Sequence, residues 1–165
     1  MNTDLLPPPG RWAVGPDRTQ AEALLAAARR AGLRTAWQGR DAGFVSNLSI
    51  LENLQLLLEW HACAEALADA VTRALVVLGL SPPDWLTQRP AALSDAQRRQ
   101  ARLLRLLVLR PEVLVIEAPS RGRGFDESET RLLDALEGAR LLLLGPALPD
   151  WPVWPDPASG APAAP

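Results

Sequence analysis

Apolar residues fall into two kinds of pattern along this chain. In some segments they return every three or four positions, the spacing of one helix face. "DRTQAEALLAAARRAGL", 17–33, is predicted as a helix, with Asp17 or Thr19 as its cap and Gly32 as its stop. "SILENLQLLLEW", 49–60, opens with Ser49 and has Glu52 three residues on, the spacing of a capping box. "ACAEALADAVTRALVVLGL", 62–80, predicts another amphipathic helix, ended by "SPPDW". "LSDAQRRQARLLRLLVLR", 93–110, predicts a long one capped by Ser94, and "ESETRLLDALEGA", 127–139, a last one ending near Gly138. The second pattern is an unbroken aliphatic run. "EVLVIEA", 112–118, and "RLLLLG", 140–145, read as strands covered on both faces. "RWAV", 11–14, and "RTAW", 34–37, are shorter strand candidates.

Strands alternating with helices predict an α/β fold with a parallel sheet and flanking helices. The helical stretch at about 49–90 is expected to form a small lobe. Residues 1–10 are a Pro-rich lead. Residues 148–165 are a Pro/Ala-rich tail, expected to lack order beyond Trp154. Trp12, Trp37, Trp60 and Trp85 are expected to pack in the core or between lobes.

Composition narrows the chemistry. With 165 residues, 48% of them hydrophobic, the chain is long enough for one domain with a real core. A net charge of −2 supplies no global field for nucleic acid or an anionic membrane. The arginines of "RRQARLLR" come without an aromatic platform, so nucleic acid is not expected as a partner. One cysteine, Cys63, rules out a disulfide framework. The single histidine, His61, has no partners for a metal site and reads as a helix residue at the solvent edge. "MNTDLLPPPG" lacks a basic region followed by an apolar one, so no secretory leader is expected. The apolar runs fall short of the roughly 20 residues that span a bilayer. All 17 basic residues are arginine, which excludes any mechanism that needs a lysine.

Ligands of such sheets sit at the carboxyl ends of the strands. At the first end, "VGPDRTQAEALL", a turn leads into a helix, the geometry that cradles phosphate. Gly15 is present, but there is no second glycine, and Arg18-Thr19 stand where Lys-Ser/Thr would. A disabled phosphate loop and an ordinary strand-to-helix turn both fit these residues. At the second end, Glu117 offers one carboxylate, while Ala118 offers no proton acceptor. Glu117 is expected to pair with Arg121 or Arg123. The third end, Gly145-Pro146-Ala147, has nothing that titrates.

Taken together, the ends resemble those of the nucleotide-binding subunits of ABC transporters. "LSDAQRRQARLLRLLVLRPEVLVIEAP", 93–119, resembles that family's signature helix and Walker B strand with no insertion between them. "RTAWQGRDAGFVSNLSILENLQLLLEWH", 34–61, resembles the Q-loop region, with Gln38 at the glutamine position. Its wording is closest to the ATPases of Mla/Mce-type lipid transporters. The resemblance covers 11 to about 147 and implies a truncated P-loop NTPase fold, with the family's antiparallel β-lobe missing.

By that resemblance the vestigial nucleotide-site positions are Gly15, Arg18, Thr19, Gln38, Ser94, Asp95, Ala96, Gln97, Glu117, Ala118 and Pro146. Arg18 stands at the lysine, Glu117 at the Mg²⁺-linked aspartate, Ala118 at the catalytic glutamate and Pro146 at the switch histidine. Asp95 and Ala96 replace the signature glycines, and "RGRG" lengthens the D-loop before Asp126. The expectation drawn from these is a pseudo-ATPase, not an enzyme, with no catalytic residue, no metal and no cofactor where the family ligand would be Mg-ATP. Its expected partner is an ABC permease, met through the Gln38 loop and the 49–90 lobe, with a possible active ATPase beside it. Its expected place is the cytoplasm, peripheral at the inner membrane. Weak ATP hydrolysis through Glu117 and Gln38, and a vestigial protein without a partner, are the alternatives.

Overall fold

The computed structural model describes residues 6–15, 17–39, 43–119, 124–146 and 148–154. Two compact units share the chain: Met1–Gly39 with Pro111–Gly124 and Leu136–Pro165, and Arg40–Arg110 with Phe125–Ala135.

The first unit is a four-stranded sheet with one helix. The strands are β1 (Gly10–Ala13), β2 (Thr35–Gln38), β3 (Val113–Glu117) and β4 (Arg140–Leu144), in the order β1-β4-β3-β2, and every pair is parallel. The fold is therefore α/β with a parallel sheet, as the alternation of patterns predicts. The centre of β3 and β4 is buried throughout, which is why those segments are aliphatic without a break. Helix α1 (Arg18–Arg30) lays Leu24 and Leu25 into a cluster with Val14, Val113, Val115 and Leu142. Asp17 caps it by accepting the Thr19 N–H at 2.8 Å, and Gly32, at φ +77°, turns the chain away after it.

The second unit is helical: α2 (Ile50–Trp60), α3 (Leu67–Leu78), α4 (Asp95–Leu109) and α5 (Glu127–Ala135), with short 3₁₀ turns at Asp84–Thr87 and Pro90–Ala92. Ser49 and Glu52 form the expected capping box, which also holds the Glu52 carboxyl below its ordinary value through the Ser49 hydrogen bonds. Helix α3 starts at Leu67, not at residue 62. Ala62 sits in the left-handed region at φ +48° and the Cys63 N–H returns to Leu58 O, so α2 is closed off before α3 can begin. His61 is the residue that ends α2. Trp85 is buried, but Trp60 is 82% exposed, which corrects the expectation that it packs.

Two polar anchors hold this unit. Asn53, 8% exposed, accepts the Val45 N–H at 2.7 Å and donates to Val45 O, Leu48 O and Ser49 O, so one side chain fastens the segment before α2. Arg73 holds Glu65 at 2.8 Å and also donates to Leu107 O on α4. That hydrogen bond keeps the Glu65 carboxyl below its ordinary value of 4.5.

Asn53→Ala strands the Val45 amide and the Leu48 carbonyl, while Val45 O and Ser49 O keep their backbone partners, so it is expected to lower unfolding free energy by about 2 kcal/mol in a denaturant titration. Glu65 has a folded pKa below its unfolded one, so its contribution is present above pH 4.5 and lost as pH falls through the folded value. The stability gap between the native chain and Glu65→Gln should therefore close on acidification below that range; a gap independent of pH would remove this assignment.

Candidate functional site

Four strand ends meet the chemistry-bearing positions of the first unit. After β1, Gly15 adopts φ +75° and its carbonyl accepts the Gly145 N–H at 2.8 Å. Arg18 and Thr19 open α1. The Arg18 guanidinium carbon lies 4.8 Å from the centre of the Trp37 ring, a cation–π contact between α1 and β2, and its Nε is 3.5 Å from Glu22. Trp37 Nε1 is buried and has no hydrogen-bond partner among the described residues. Gln38 closes β2 in register with Ile116.

After β3, Glu117 stands beside Leu144 in register, half-buried. Its carboxylate lies over Gly39: a β-carbon there would come within 2.5 Å of Oε1 and 2.9 Å of the Trp37 indole nitrogen. The Ala118 N–H donates to Leu144 O at 2.9 Å, and its methyl group lies against Gly145, where an added β-carbon would be 2.5 Å away. Pro146 follows, exposed. The partners expected for Glu117, Arg121 and Arg123, lie outside the described residues.

The sequence candidates Ser94, Asp95, Ala96 and Gln97 belong to the second unit. Ser94 Oγ accepts the Gln97 N–H, and Gln97 Oε1 accepts the Ser94 N–H at 2.8 Å, so both side chains are engaged in capping α4. Asp95 pairs with Arg98 at 2.8 Å. Further along α4, Arg99 bridges Asp126 and Glu129, which form their own reciprocal box at the start of α5. The Glu129 hydrogen bond leads the causes that raise the Arg99 pKa. Arg105 donates to Gly43 O at 3.0 Å and faces the Phe44 ring, while burial pulls its own pKa down. Sequence reasoning missed both the Arg18–Trp37 contact and the Arg105 anchor. The only signal for either was an arginine at helical phase, which solvation explains equally well.

The fit to a nucleotide is poor at the phosphate end. The first-turn amide of Thr19 is already taken by the Asp17 carboxylate. That negative charge occupies the place where a helix N-terminus would receive phosphate. Among the described residues no group of three or more His, Cys, Asp or Glu side chains could hold a metal ion.

The chain has relatives in both sequence and fold. It is 34% identical over 90 residues to the sulfate/thiosulfate import ATP-binding proteins of Burkholderia mallei and Bordetella pertussis. The match takes in 48% of this chain and 26% and 25% of those proteins, so the chain spans about a quarter of their length. No family model matches it. An ATP-binding subunit of an ABC transporter superposes with a TM-score of 0.51 at 22% identity, covering 67% of this chain and 47% of that one. A dimeric ATP-binding cassette in a post-hydrolysis state, bound to ADP and Pi, gives 0.58 at 12% identity, over 83% and 75%. The fold is thus that of the ABC ATP-binding subunits, and over the matched 90 residues the sequence is similar to importer ATP-binding proteins.

These findings correct the expectation that the chain is not an enzyme. The relatives are named ATP-binding proteins, and a neighbour of the same fold carries ADP and Pi, the products of hydrolysis. Nothing positive stands behind a pseudo-ATPase; the substituted positions are differences in the site.

Asn caps a helix as well as Asp does but carries no charge. Asp17→Asn is therefore expected to leave the melting temperature unchanged. It should tighten any ATP or phosphate binding by roughly tenfold, as a like charge about 4 Å from phosphate is removed. Calorimetric titration of both proteins checks this, and equal affinities would show that Asp17 does not oppose phosphate.

Proposed function

We propose that the chain is an ABC ATPase-like transporter subunit that seats on a permease at the cytoplasmic face of the inner membrane. The contact runs through the segment that follows Gln38 and through the helical unit. One observation carries this reading: the Gly43–Ser49 segment is fastened by Asn53 and Arg105 to a unit that exposes apolar side chains. Val45 in that segment is 45% exposed, and on α2 Leu56 and Trp60, one helical turn apart, are 44% and 82% exposed. Surface held this rigidly and left this apolar suits a protein partner. No helix among the described residues is long and apolar enough to cross a membrane.

The proposed cargo is lipid, on the likeness of residues 37–61 to the Mla/Mce-type ATPases; sulfate and thiosulfate belong to the names of the import relatives. A second ATP-binding subunit is the further partner proposed with it.

The test is recovery of the tagged chain from native membranes, with mass spectrometry of what accompanies it. A stoichiometric permease of a lipid transporter is the expected result. Leu56→Ser with Trp60→Ser is expected to cut that recovery at least tenfold while leaving the melting temperature in place. A permease for an inorganic anion would overturn the cargo, and a preparation free of transporter components would overturn the docking.

A further inference from the structure

The outer edge of β1 is covered by the chain's own later residues. After β4 the chain passes Gly145, turns at Leu148, whose carbonyl accepts the Trp151 N–H at 2.9 Å, and comes up alongside β1. Val153 sits beside Ala13 in parallel register. The Ala13 N–H donates to Pro152 O and the Trp154 N–H donates to Ala13 O, both at 2.8 Å. Those two bonds satisfy a strand edge that would otherwise face solvent. Trp151 is 3% exposed, and Trp154 meets Trp12 edge to face, ring centres 5.2 Å apart at 75°. This is strand addition: backbone bonds give the grip and alternate side chains the selectivity.

The seat is also loosely fixed. Its ladder is short, Pro152 offers no amide to lengthen it, and the Trp154 indole N–H is buried with no acceptor among the described residues. The connection back to β4 carries Pro146 and Pro149.

We propose that the β1 edge is a strand-accepting surface whose second occupant is the Asp150–Trp154 segment of another copy of this chain. The contacts made in trans are the same as those made in cis. The closed monomer is favoured only by the effective concentration that its own connection imposes, which is millimolar for short links. Shortening that connection should therefore convert the monomer into a strand-exchanged dimer.

The experiment removes Leu148 and Pro149 from the full chain and follows its mass by sedimentation and the Ala13 amide by hydrogen exchange. The shortened chain is expected to be a dimer at about 10 µM, where the native chain is a monomer, with Ala13 still protected. Adding Trp154→Ala to the shortened chain should return it to a monomer. A shortened chain that stays monomeric with Ala13 exchanging freely overturns the proposal, and so does a dimer that survives Trp154→Ala. Should the shortened chain not fold, the full-length Trp154→Ala protein is titrated with the peptide Asp-Trp-Pro-Val-Trp. Restored protection of the Ala13 amide supports the proposal, and no protection at millimolar peptide overturns it.

Discussion

The pairing of β3 with β4 is the constraint on which the first unit hangs. Both strands are aliphatic on both faces, so alternation along them says nothing about register: a slip of one residue would trade leucine for leucine. Polar groups at their lower ends fix it. Arg140 N–H donates to Glu112 O, the Glu112 carboxylate accepts the Arg34 N–H, and the Arg140 side chain reaches Pro7 O at 2.7 Å. At the upper ends Ala118 and Gly145 approach so closely that no side chain would fit at the glycine. Register set this way places Glu117 opposite Leu144, and every chemical position at the strand ends inherits its height from it.

Much of this was legible in the sequence because it is local. Ser49 with Glu52, Ser94 with Gln97 and Asp17 with Thr19 announce helix starts through bonds between residues two or three apart. The continuous aliphatic runs announce buried strands. What escaped is non-local or contrary to propensity. Trp60 shares the exposed side of α2 with apolar Leu56, so its own apolar character hides its exposure from the pattern. Ala62 is a strong helix former, yet it takes the left-handed conformation that separates α2 from α3. The tail reads as Pro/Ala-rich with no element of its own before Trp154, yet Trp151 and Trp154 are built into the first unit. Its order comes from a strand edge some 140 residues earlier, which no local reading contains.

At the site, motif positions were readable and their surroundings were not. Arg18 could be placed at a phosphate turn from spacing alone, but its seat on the Trp37 face depends on α1 crossing β2. The cap made by Asp17 was likewise foreseeable as a cap; that it takes the very amide a phosphate would use follows only from geometry. Inference from substituted residues also went too far in one direction. A list of missing groups argued against activity, while the sequence and fold relatives are ATP-binding proteins. Residue identity tells which chemistry has changed, and kinship tells which chemistry to look for.

The interleaving of the two units has a consequence for how the molecule comes into being. The second unit is built almost wholly from one continuous stretch, Arg40–Arg110, and its contacts can form as that stretch leaves the ribosome. The sheet has no such freedom. β1, the first strand made, has as its ladder neighbour β4, the last, with Gly10 opposite Arg140. β2 must wait for β3 to pair, and until β4 emerges β1 has no strand to join. Loop closure over so long a span makes this the slow step of folding. The nascent chain thus carries a finished helical unit beside an open sheet, and that interval is when it most needs protection from aggregation.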